Sequence, residues 1–128
     1  MTNIRPQYHF RQSPQGLLAW NVQRLIKLTN KFKARNISLL NIAELDINHW
    51  YTHNIPTCRS IAEHSNLICE ADITFPIILD QKGRVMDGMH RVCKALSMGM
   101  SEISCVQFES DPAPDYVGKD PYELPYDS

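Results

Sequence analysis

The chain has 128 residues, 43% of them hydrophobic and 21% charged, with a formal net charge of -1. This is the length of one domain with apolar side chains enough for a core, and it excludes a disordered or fibrous chain. The balanced charge disfavours a dedicated duplex-DNA binder, because such proteins draw much of their affinity from a basic excess.

Residues 1–12 are polar and irregular and read as an extended arm. They lack the apolar run of a signal peptide, and no window approaches the roughly eighteen apolar residues of a membrane span. The expectation is a cytoplasmic protein that does not engage a membrane. Its four cysteines, Cys58, Cys69, Cys93 and Cys105, are expected to be thiols. Ser13 and Pro14 suit a helix N-cap and first helical position. Leu18, Val22, Leu25 and Phe32 follow at helical spacing, with Trp20, Arg24, Lys27 and Lys31 off that face. The spacing predicts a packing helix over 14–32.

Ile37 to Leu40 reads as a short strand, and Asn41 as the cap of one helical turn, IAEL. The next segment, LDINHWYTHNIP, has no period but gathers His49, Trp50, Tyr51 and His53. Loops of that composition are either functional or aromatic packing. Pro56 and Thr57 open a second helix, over 57–71, with Ile61, Ala62, Leu67 and Ile68 on its apolar side. FPIIL, 75–79, reads as a buried strand with Pro76 at its tolerant start. A turn at Asp80–Gly83 leads to a returning strand, Arg84 to Met86. A third helix spans 89–98, with Val92, Ala95 and Leu96 inward and Gly99 as its stop. Ile103 to Phe108 is the last strand. The tail, 109–128, holds four of the eight prolines and three of the five tyrosines. It is either an ordered strap anchored by tyrosines or partly free. The expected architecture is a single α+β domain: a small mixed sheet packed with about three helices. An arm and helix (1–36) precede its core (37–108), and a proline-rich tail (109–128) follows.

The chemistry concentrates at Asp87-Gly88-Met89-His90-Arg91, where a strand turns into a helix. Glycine lets the backbone turn tightly and approach a ligand. The first amides of the following helix have no internal partners and carry the positive end of its dipole, which suits an anion. His90 and Arg91 add donors, and an arginine can grip two phosphate oxygens. Asp87 would repel a phosphate unless it caps the helix, orients His90 or holds a metal. The competing reading is an ordinary capped turn with a solvated Arg91. Neither GxxxxGK[ST] nor GxGxxG occurs. Zinc is rejected: no CxxC occurs, and His64 and Cys69 face apart on a helix.

IAELD, then a helix, then FPIILDQKGRVMDGMHRVCKALSMGMSEISCVQF, resembles the ParB/sulfiredoxin superfamily over residues 37–108, most sharply over 75–108. The resemblance implies that Gly88, His90 and Arg91 contact nucleotide phosphates, along the helix that starts near Met89. It makes Asp87 a metal or catalytic candidate, Glu63 a candidate base and Arg59 a further phosphate contact. Sulfiredoxins carry their attacking cysteine where this chain has Met89, so sulfinic-acid reduction is not expected. Partition proteins of the family have a Gly-Glu-Arg-Arg corner and a helix-turn-helix domain, which this sequence lacks. DGMHR is most similar to the small phosphotransferase branch. The implied ligand is ATP or CTP with Mg²⁺, and the acceptor a small molecule or protein, with the loop at 49–53 closing over the base or the acceptor. The alternatives are a non-catalytic nucleotide-sensing or protein-interaction module, and a DNA-binding or nuclease accessory protein.

Overall fold

The computed structural model describes residues 7–51 and 55–126. The chain is a mixed α+β domain, with three α-helices and two sheets among the described residues.

The first departure from expectation is at the start. No helix begins at Ser13. Strand β1 (Tyr8–Ser13) turns through Pro14 and Gln15 into β2 (Gly16–Asn21), pairing antiparallel from Tyr8↔Asn21 to Ser13↔Gly16. Ser13 and Pro14 open a hairpin turn, in which the Ser13 hydroxyl donates to the Gly16 carbonyl at 2.6 Å. Gly16 has φ +109°, and a Cβ there would lie 3.1 Å from the Gly118 Cα. A two-residue turn with a left-handed glycine at its exit therefore competes successfully with the helical reading. Helix α1 (Val22–Thr29) starts only where the Asn21 side chain accepts from the Arg24 amide at 3.1 Å. Trp20, expected off an apolar helical face, is 2% exposed on β2.

The second sheet has the order β3–β6–β4–β5, built from β3 (Arg35–Ser38), β4 (Ile77–Leu79), β5 (Val85–Asp87) and β6 (Glu102–Gln107). β4 runs parallel to β6 and antiparallel to β5. Strand alternation divides its side chains between two cores. Ile77, Leu79, Val85, Ile103 and Cys105 meet helix α3 (Met89–Ser97) on one face, together with Leu39 and Ile42. Ile78, Met86 and Val106 meet Trp20 and Leu25 on the other. Helix α2 (Cys58–Glu70), capped by Thr57 in a reciprocal box with Ser60, lies outside α3 and buries none of its residues fully. Of its expected apolar side, Leu67 and Ile68 are half-buried, whereas Ile61 and Ala62 are exposed. The expected single turn is a 3-10 turn over Ala43–Asp46 that has no side-chain cap; Asn41 instead ends a preceding turn, Leu39–Asn41, which Ser38 caps at the Leu40 amide.

Over its described residues, 109–126, the tail is an ordered strap, but not one anchored by all its tyrosines: Tyr116 packs on Tyr8, whereas Tyr122 is 95% exposed. Its strand β7 (Tyr116–Val117) pairs with β2, so residues from both ends of the chain share one three-stranded sheet, β1–β2–β7. The Trp20 indole donates to the Pro112 carbonyl at 2.8 Å, and Leu124 is buried with Tyr8 and Ala19. Asp80, fully buried, joins the two sheets. Its carboxylate accepts from Arg11 on β1 at 2.6 Å and from the Arg84 side chain and amide at 2.7 and 2.8 Å. Every one of these donors is matched to a buried oxygen, which is what lets a carboxylate sit in a core.

Candidate functional site

The corner at 87–91 is built by two close-packed layers. β5 ends at Asp87, and Gly88 takes φ +112°, a conformation open to glycine. A Cβ at Gly88 would lie 2.6 Å from the Ile77 Cγ2 and 2.7 Å from an Arg91 terminal nitrogen. Gly88 is the N-cap of α3 and makes no side-chain cap bond. Asp87 is thus not the cap that its position suggested. It accepts instead from Arg91 Nη2 at 3.0 Å, across one helical turn, with both side chains largely buried. The Nε of Arg91 is buried without an acceptor among the described residues.

His90 turns toward a different set of partners. Its Nε2 lies 3.2 Å from His64 Nδ1 on α2. The ring centroids are 5.4 Å apart and the planes 18° from parallel. That separation exceeds the nitrogen contact by about two ring radii, so the two nitrogens meet head-on, as in an N–H···N hydrogen bond. Trp50 covers both imidazoles, with its ring 4.7 Å from each and planes at 15° and 27°. Tyr51 meets His64 edge-on, and the Asn48 side chain bonds both the amide and the carbonyl of Tyr51. Burial lowers the pKa of His64, against the opposing charge of Glu63. The aromatic segment is therefore packed onto α2 and α3; His53, also expected in it, lies outside the described residues.

A groove of about 1330 Å³ runs past this corner, walled by β1, α1, β4, β5 and the start of α3. Asp87, Gly88, Met89, His90 and Arg91 all border it. Met89 is 5% exposed and packs with Val92 in the core, so it has a backbone amide rather than a side chain to offer a ligand. Arg59 and Glu63 are exposed on α2, and neither borders the groove; α2 contributes Leu67 and Glu70 to it instead. The structure thus gathers Asp87 to Arg91 and leaves Arg59 and Glu63 apart from them. Among the described residues, no three His, Cys, Asp or Glu side chains form a group fit to hold a metal ion. Burial pushes up the Cys93 thiol, which makes a poor nucleophile of it.

Three groups had little signal in the sequence. His9, on β1, borders the groove with an Nε2 that has no partner among the described residues. Burial, with Arg11 nearby, lowers its pKa to about 4. The pairing of His64 with His90 crosses 26 residues, and the tie from Arg11 to Asp80 crosses 69. Neither has a spacing rule behind it.

Comparison with protein-family models, with curated proteins and with solved structures finds no match for this chain. No helix among the described residues is long and apolar enough to cross a membrane.

Proposed function

We propose that this chain is a nucleotide-binding protein of the ParB/sulfiredoxin type, holding the phosphates of ATP or CTP at residues 88–91. One observation carries the reading: Gly88, which caps α3 without a side chain, and Arg91, packed over it, both border one large groove. The first turn of α3 supplies amides and the positive end of a dipole, and Arg91 supplies charge-assisted donors. The groove has room to spare for a nucleotide, since small-molecule sites run to about 300–1,000 Å³. Mg²⁺ would ride on the phosphate oxygens and water, with Asp87 as the nearby carboxylate. Asp87 would then be shared between Arg91 and the cation. The four free thiols accord with a reducing, cytoplasmic setting.

The geometry supports binding more directly than turnover. Glu63, the candidate base for a phosphotransferase or NTP hydrolase, lies away from the groove, and Asp87 is already paired. That favours a nucleotide sensor as the second reading. A thermal-shift series with ATP and CTP, with and without Mg²⁺, tests both. A ligand at a hundred times its Kd adds about 2.7 kcal/mol to the native state. The expected result is a rise of several degrees with one triphosphate, lost in Arg91→Ala. No rise with either nucleotide overturns the reading. Release of inorganic phosphate from the bound nucleotide then separates an enzyme from a sensor.

A further inference from the structure

His90 is the second residue of α3, so its amide belongs to the turn that would face a phosphate, and it borders the groove with Gly88 and Arg91. Its ring is engaged with other rings. Trp50, expected to close over the base or the acceptor, is stacked instead on His64 and His90, with 4.7 Å to each centroid. The two imidazoles meet through Nδ1 of His64 and Nε2 of His90 at 3.2 Å. Two apolar rings would serve packing as well; two imidazoles add a capacity for protons.

That capacity follows from the geometry. A neutral pair of imidazoles carries a proton on one nitrogen of each ring, and one of these protons sits in the contact. A further proton goes to an outer nitrogen and leaves the contact bond in place. Its charge then lies against the face of Trp50, a favourable cation–π arrangement. Yet another proton would set N–H against N–H across the contact. The pair is thus suited to gain one proton and to hold it.

The surroundings decide when it does so. On α2, Glu63 beside His64 favours the charge, but burial outweighs it and lowers the His64 pKa. On α3, Arg91 is answered by Asp87 at 3.0 Å, and Lys94, one turn beyond His90, is bonded to the carbonyls of Cys69 and Ala71 at 2.7 Å each. From the loop, Tyr51 meets His64 and His49 meets Trp50, both edge-on. The positive end of the α3 dipole also opposes a proton on His90. An anion bound at that end reverses the sign of the field there.

We propose that the His64–His90 pair takes up one proton when an anion binds at the first turn of α3, so that this site holds its ligand tighter as pH falls. The inference rests on the nucleotide reading above and adds its regulation by pH. Linkage makes the effect reciprocal: an anion that favours the protonated pair is itself favoured by protonation.

NMR titration of the imidazole resonances of His64 and His90 in the full chain tests this, between about pH 5 and 8, alone and with saturating ATP, CTP or sodium sulfate. Sulfate keeps its charge across that range, so a proton taken up with it belongs to the protein. Binding is read separately, from the amide shifts of residues 88–91. The midpoint of the pair should rise by about one unit with each anion that moves those amides, equivalent to about tenfold tighter binding to the protonated protein. In His64→Phe, which keeps a ring under Trp50 and removes the contact nitrogen, His90 should lose most of that rise. A midpoint that stays or falls while the amides move overturns the coupling and leaves the phosphate corner standing. A rise with nucleotide that bound sulfate does not reproduce overturns it by assigning the proton to the nucleotide. A full rise retained in His64→Phe overturns the pair in favour of a lone histidine. Amides unmoved by every anion remove the coupling together with the nucleotide reading. Should the variant not fold, the titration of the parent protein still decides.

Discussion

Gly88 shows how a single position shapes the corner. Its backbone is left-handed, and its α-carbon is covered by Ile77 and Arg91. An added methyl would have to displace a branched side chain of the core and the guanidinium together. Left-handed strain alone costs on the order of 1–3 kcal/mol. Gly88→Ala is therefore expected to lose about 2–4 kcal/mol, read as a lower midpoint in urea with an unchanged slope. Glycine at this point was legible in the sequence as a turn before a helix. Its close cover by Arg91 was not, because that contact depends on which rotamer the guanidinium takes beside Asp87.

At the scale of elements, the strands and helices after residue 56 lie where hydrophobic pattern and caps place them. Thr57 opens α2, Gly99 ends α3, and the Asp80–Gly83 turn joins β4 to β5. Faces were read less well than elements: Leu96, expected inward on α3, is 54% exposed, and Ile61 and Ala62 on α2 are exposed too. The misplaced element was at the N-terminus. Leu18, Val22 and Leu25 fit a helical period, yet Leu18 belongs to β2 and the true helix begins at Val22. Periodicity over a few residues does not separate a strand leading into a helix from one longer helix. What decides is a partner far away: β7, from the opposite end of the sequence, pairs with β2 and covers Ala19. Leu124 is 5% exposed and packs there with Tyr8 and Ala19. Leu124→Ala should lower stability by about 2–3 kcal/mol, measured by urea unfolding. A change within ±0.5 kcal/mol would mean that the strap is not part of the folded unit.

The molecule as a whole carries a pH dependence. His9, His49 and His64 all have lowered pKa values, each chiefly through burial. His49 is exposed to solvent, so the effect falls chiefly on His9; a histidine held neutral by burial takes up fewer protons when folded than when unfolded. Stability is therefore full above the unfolded value near 6.5 and falls as pH drops toward the folded value, which for His9 is about 4. His9 alone represents up to about 3 kcal/mol across that window. Urea midpoints measured from pH 7.5 to 4.5 should fall steadily below pH 6.5, and His9→Phe, which keeps a ring on Trp20, should flatten the fall.

By itself the sequence determined the α+β class, the order of elements through the second half and the polar corner at 87–91. These rest on local physics: alternation in strands, helical spacing, caps and glycine turns act over a few residues and leave their mark in the string. Only the tertiary structure decided that the N-terminus and the tail share a sheet, that Trp50 spends its ring on His64 and His90, that Arg91 answers to Asp87, and that Arg59 and Glu63 stand off the groove. Those outcomes are contacts between distant residues, and a linear order carries no rule for which side chains meet once the cores on the two faces of the sheet have closed.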